Sequence, residues 1–158
     1  MDNIKTENAP KAAGAKQENG SPLADTLKAQ TTRGSKVLVV DDNAILLRTV
    51  KEMIGDRYRI SIAASGSQAF ASIAKNLPDL ILLDYEMPYT NGVEVLKRLR
   101  ADASTRNIPV IFFTSTAERE MVAKLVESLP DGYLLKPPNK EKMIALIDKT
   151  LKAKRESD

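Results

Sequence analysis

The sequence predicts an α/β domain in which a five-stranded parallel sheet is covered by helices on both faces. Three observations predict it. Short apolar, β-branched runs alternate with stretches whose apolar residues recur at helical spacing, the connections between them are short, and no two-residue hairpin signal joins neighbouring strands. At 158 residues the chain suits one domain with tails, and a hydrophobic content of 42% is enough for a core.

Residues 1–34 offer only Ile4, Leu23 and Leu27 as large apolar side chains, too little buried surface to offset the entropy of ordering. They read as a disordered extension in which a short helix over 23–30 is the one element the pattern allows. The domain is expected over 35–153. KVLVV (36–40), bounded by Gly34 and two aspartates, suits a strand buried on both faces. Leu46, Leu47, Val50, Met53 and Ile54 follow at helical spacing, with Gly55 as a stop. YRISIAA (58–64) reads as a strand, and residues 65–75 as a helix capped by Ser65 or Ser67. DLILL (79–83) is a strand, VEVLKRLRA (93–101) a helix, and IPVIFF (108–113) another buried strand. Val122, Leu125, Val126 and Leu129 mark a fourth helix, GYLL (132–135) a fifth strand, and Met143, Ile144, Ile147 and Leu151 a fifth helix. Residues 154–158 read as a frayed tail.

Composition excludes whole classes of chemistry. The chain has no cysteine and no histidine, so disulfides, thiol nucleophiles, Ser-His-Asp triads and imidazole or thiolate metal sites are all ruled out. Twenty-four lysines and arginines against 21 acids give a net charge of +3, too weak a bias to point to nucleic acid. No apolar run approaches the ~18 residues of a membrane span. The first twenty residues also lack the apolar centre of a signal peptide, so a soluble, cytoplasmic protein is expected.

In a parallel α/β sheet the carboxyl ends of the strands share one edge, where ligands bind. The residues just past the strands are Asp41 and Asp42, Asp84, Thr114 and Ser115, and Lys136. Singly each is ordinary: an aspartate before a helix is usually a cap, a threonine a turn hydroxyl, a lysine a solvated amine. Jointly, three carboxylates at one edge repel one another, and a hard divalent cation with oxygen ligands relieves this. Mg²⁺ fits, and the added amine and hydroxyl suit a phosphoryl group resting on a carboxylate. Asp84 ends a rigid buried strand, as a positioned nucleophile would.

VLVVDDN (37–43), LILLDYEMPYTNG (80–92), PVIFFTS (109–115) and GYLLKPP (132–138) together resemble the receiver domain of two-component response regulators over residues 35–153. The resemblance implies a flavodoxin-like sheet of strand order 2-1-3-4-5 with five helices. It implies that Asp84 accepts a phosphoryl group from a sensor histidine kinase or histidine phosphotransfer protein. It further implies that Asp42, Asp84 and the backbone carbonyl of Glu86 bind Mg²⁺ directly, with Asp41 acting mainly through water. Thr114, the Ser115 amide and Lys136 would then hold the phosphoryl oxygens, Tyr133 would be the switch aromatic, and Lys136–Pro137 would be cis. Glu86 and Thr116 stand where the family tunes acyl-phosphate lifetime. Ser128-Leu129-Pro130-Asp131 departs from the smaller residues common before the fifth strand.

The leading expectation is a stand-alone receiver whose phosphorylation changes partner binding on the face made by the fourth helix, fifth strand and fifth helix. Leu146 on that face reads equally as a singly exposed leucine or as a docking or homodimer contact. A phosphate sink or relay intermediate, and a pseudo-receiver acting only by interaction, are the alternatives. A phosphatase of the haloacid dehalogenase type also uses an aspartyl phosphate after a buried strand, but it wants a second acid two residues on, which Glu86 matches loosely, and a cap domain.

Overall fold

The computed structural model describes residues 32–115 and 130–157. The helices expected over 23–30 and 122–129, most of the N-terminal extension and Thr116 lie outside those residues. Among the described residues five strands alternate with four helices: β1 (Lys36–Val40), α1 (Ala44–Ile54), β2 (Arg59–Ala63), α2 (Gly66–Lys75), β3 (Leu80–Leu83), α3 (Gly92–Ala101), β4 (Val110–Thr114), β5 (Gly132–Leu135) and α4 (Lys140–Ser157). All belong to the compact unit Gly34–Asp158. The strands are parallel and ordered 2-1-3-4-5, the expected arrangement.

Side chains alternate between the two faces of a strand, so each buried run feeds two cores. Leu38, Val40, Ile81, Leu83, Val110 and Phe112 meet α2 and α3 through Ala69, Ile73, Val95, Leu96 and Leu99. Val37, Val39, Leu80, Leu82, Ile111 and Phe113 meet α1 through Leu47, Val50 and Ile54, and α4 through Met143, Ile147 and Leu151. Each such side chain contributes about 1.5–3 kcal/mol on leaving water, so the central strands form a rigid base for whatever stands at their ends. β2 is different. As an edge strand it leaves Arg59, Ser61 and Ile62 exposed.

Helix starts follow local chemistry. Asn43 caps α1 by accepting from the amides of Ile45 (3.0 Å) and Leu46 (3.1 Å). Ser65, one of the two expected caps, accepts from Gln68 N, and Asn91 from Glu94 N. The last helix runs through Ser157, into the stretch read as a frayed tail, and Arg155 donates to Ser35 Oγ at 2.8 Å. Leu146 is not a singly exposed leucine: its methyls lie over Gly132, where a Cβ would stand 3.6 Å from Cδ1.

Candidate functional site

Three site residues are fixed by backbone hydrogen bonds that carry the parallel ladder past the strand ends. Asp41 N donates to Ala63 O (3.0 Å), Asp84 N to Val40 O (2.9 Å), and Lys136 N to Thr114 O (2.9 Å). Asp41 and Asp84 are therefore held by the sheet itself. Oxygens of Asp41, Asp42 and Asp84 all lie within 4.8 Å of one another. Asp41 and Asp84 are buried, at 1% and 3% exposure, while Asp42 faces solvent.

Lys136 enters this acidic cluster from β5. Its Nζ stands 2.9 Å from Asp41 Oδ2 and 3.2 Å from Asp84 Oδ1, and 5.6 Å from the centre of the Phe113 ring. Burial alone would lower the lysine's pKa, but pairing with Asp41 and Asp84 outweighs it and the net shift is upward. The amine stays protonated. The peptide between Lys136 and Pro137 is cis, as the sequence led us to expect.

Asp41 Oδ1 accepts from Asn43 N at 2.9 Å, tying the β1–α1 turn to the site. Asp41 Oδ2 is buried, and Lys136 Nζ at 2.9 Å is its partner among the described residues. Among the described residues, one ammonium, Lys136 Nζ, pairs with this group of three carboxylates. Carboxylate oxygens of three acids within reach of one another, two of the acids buried, in a chain with no histidine or cysteine, match the donor set of a hard cation such as Mg²⁺.

Thr114 ends β4 and is fully buried, Ser115 follows it half-buried, and Glu86 is exposed in the β3–α3 loop. In that loop Tyr89 adopts φ 70° and Thr90 N donates to Pro88 O. Tyr133, half-buried on β5, stacks on Phe112 with ring centres 6.2 Å apart and planes inclined by 21°. The structure thus gathers Asp41, Asp42, Asp84 and Lys136 into one cluster, places Thr114 and Ser115 at the end of the neighbouring strand, and sets Tyr133 apart on the edge strand.

Sequence reasoning missed Gly92. Its amide donates to Tyr85 O at 2.6 Å, and a Cβ there would stand 2.3 Å from Asp84 O and 3.0 Å from both Tyr85 Cα and Phe112 Cε1. Only glycine lets α3 begin this close to the backbone of Asp84. The signal was present as Asn91-Gly92 ahead of an apolar helical pattern.

No described helix is long and apolar enough to cross a membrane. The family described as the response regulator receiver domain matches residues 37–148. The chain is 38% identical over 125 residues to a protein-glutamate methylesterase/protein-glutamine glutaminase of Trichodesmium erythraeum, covering 73% of this chain and 35% of that protein. It thus spans about a third of that relative's length. With the chemotaxis protein CheY-3 of Vibrio cholerae it shares 30% identity over 113 residues, covering 70% of this chain and 87% of the relative. The receiver domain of the Francisella response regulator 1452 superposes with a TM-score of 0.67 at 30% identity, covering 76% of this chain and 98% of that one. Sheet order, acidic cluster and matched span agree, and the chain belongs to the response regulator receiver domain family of two-component signalling.

Proposed function

We propose that Asp84 accepts a phosphoryl group from a sensor histidine kinase or histidine phosphotransfer protein in the cytoplasm, and that this changes which protein binds the domain. The observation that carries the reading is Lys136 Nζ held between two buried carboxylates, Asp41 and Asp84, at the ends of adjacent strands. Such an amine offsets charge on phosphoryl oxygens without needing to be recruited, which is how preorganised sites stabilise phosphoryl transfer.

In the proposed reaction an Asp84 carboxylate oxygen forms the new bond to phosphorus as the phosphorus–nitrogen bond to the donor imidazole breaks. The electron pair leaves with the imidazole, and the product is a mixed anhydride. Asp42, Asp84 and the Glu86 carbonyl would hold Mg²⁺ directly, and Asp41 through water. The bound ion would neutralise charge on the reacting oxygens. Thr114 would donate its hydroxyl, Ser115 its amide and Lys136 its ammonium to the phosphoryl oxygens. Drawing Thr114 toward them would let Tyr133 turn, altering the surface of β5 and α4, where Tyr133, Leu135, Lys136 and Leu146 line a groove of about 580 Å³.

Labelling with acetyl phosphate tests the reading. Wild type should label in the presence of Mg²⁺ and lose the label with Asp84→Asn, because the amide is not a competent nucleophile. Undiminished labelling of Asp84→Asn would place the acceptor elsewhere.

A further inference from the structure

One row of side chains crosses the sheet directly beneath the carboxylates. Val40 pairs in register with Leu83, Leu83 with Phe112, and Phe112 with Tyr133. Val40 and Leu83 are the residues immediately before Asp41 and Asp84. Phe112 is fully buried in this row, with Tyr133 stacked on it. Its ring edge also reaches the open side of Gly92, the residue pressed against the backbone of Asp84 and Tyr85. Tyr85, Met87 and Tyr133 all pack against the same core cluster as Phe112. The start of α3 at Gly92, tied by its amide to Tyr85 O, the Phe112 ring and the Tyr133 ring are therefore neighbours in series.

Interiors are packed as densely as organic crystals, so a displacement at one end of such a series moves the other rather than being absorbed. We propose that Phe112 is a positioning residue that couples the Asp84 loop to Tyr133 sterically, in parallel with the hydroxyl of Thr114. This rests on the reading of Asp84 as phosphoacceptor and Tyr133 as switch. Phe112 touches no reacting atom, so it governs how far Tyr133 responds and not how fast Asp84 is modified. Two links in parallel also mean that deleting either leaves part of the response.

The test separates modification from response in wild type, Phe112→Leu, Thr114→Ala, the double variant and Ile81→Val, which loosens the same core one row away. Labelling by acetyl phosphate reports modification. Beryllofluoride with Mg²⁺, followed by NMR shifts of Tyr133 and amide exchange over 139–151, reports response. Phe112→Leu should label within twofold of wild type but lose at least half of the response. Thr114→Ala should keep a measurable part, the double variant almost none, and Ile81→Val all of it. Phe112→Met, which keeps bulk but removes the stacked ring, replaces Phe112→Leu if the latter does not fold. In wild type the Phe112 ring resonances should themselves move on adding beryllofluoride. A full response in Phe112→Leu or Phe112→Met, a complete loss in Thr114→Ala alone, or unmoved Phe112 resonances would overturn the link while leaving Asp84 as acceptor. Wild type that neither labels nor responds would overturn the functional reading, and the link with it.

Discussion

Replacing Gly92 by alanine tests whether helix α3 positions the proposed acceptor. The new Cβ would stand 2.3 Å from Asp84 O. Ordinary carbon–oxygen contacts begin near 3.3 Å, so something must move by about 1 Å. The obstacle is backbone on two sides, at Asp84 and Tyr85, and no flexible side-chain end can yield instead. Overpacking of this kind costs about 1–3 kcal/mol, and the better helix propensity of alanine returns at most about 1 kcal/mol. A net loss of about 1–2 kcal/mol lowers the melting temperature by roughly 3–10 °C for a domain of this size. The functional effect should be larger. Tyr85 O accepts from Gly92 N, so the loop after Asp84 shifts with the helix, and a 1 Å misplacement of a reacting group costs on the order of 100-fold in rate. Acetyl phosphate labelling of Gly92→Ala should therefore fall about 10- to 100-fold. Gly66→Ala is the matched control. It also opens a helix, but its Cβ meets side-chain atoms of Val95 and Thr90 at 3.3–3.4 Å, which yield by a few tenths of an ångström. Its melting temperature and labelling should stay close to wild type. Equal behaviour of the two alanine variants would refute the reasoning.

Two further outcomes follow from charge and burial. Asp42→Ala should weaken Mg²⁺ binding, measured by NMR titration, more than Asp41→Ala, and should slightly raise the metal-free melting temperature by removing one of three crowded carboxylates. Asp41→Ala should lower it, because Asp41 holds both Lys136 and the Asn43 amide; the reverse order of metal effects would contradict the assigned roles. Tyr58 is buried and donates to Asp148 Oδ1 at 2.6 Å, while Arg57 donates to Asp148 Oδ2 at 2.6 Å. Burial first, then the neighbouring Asp148, push the phenol's pKa well above 10. Above about pH 10 the unfolded chain loses that proton while the folded chain keeps it, so stability is whole below pH 10 and falls as pH rises. Lys136, also shifted upward, acts in the same direction. Tyr58→Phe should lose about 1.5–3 kcal/mol at neutral pH and show a shallower decline from pH 9 to 11 in chemical denaturation. An unchanged slope would show that Tyr58 does not carry it.

Much of this was legible because buried parallel strands announce themselves. KVLVV and GYLL are strands over the residues their apolar runs span, and reading the residue after each run located Asp41, Asp84 and Lys136 at one edge. What was not legible depends on pairings distant in sequence. That YRISIAA forms an exposed edge follows from strand order, which its own alternation does not encode. The helical run to Ser157 is accompanied by a contact from Arg155 to Ser35, 120 residues away, and the Arg57–Asp148 pair spans 91. Gly92 could be read as a helix opening, but its approach to Asp84 O appears only once α3 is packed. The row from Val40 to Tyr133 needs the register of four strands.

The same strand carries both the electrostatic and the steric side of the site. Lys136 is one ammonium shared by Asp41 and Asp84, and it follows β5 directly; Tyr133 lies three residues earlier on that strand, stacked on Phe112. In the proposed reaction Asp84 exchanges its carboxylate charge for an acyl phosphate. The lysine then has new acceptor oxygens on the side of Asp84, while Asp41 keeps its hydrogen bond from Asn43. Any adjustment of Lys136 would be transmitted to a strand that, among the described residues, pairs only with β4, whereas Asp84 ends a strand paired on both sides. Energy introduced at the acceptor is therefore more easily released at β5 than at β3. That asymmetry follows from strand order, and under the proposed function it favours a response at the edge of the sheet while the proposed acceptor stays at its centre.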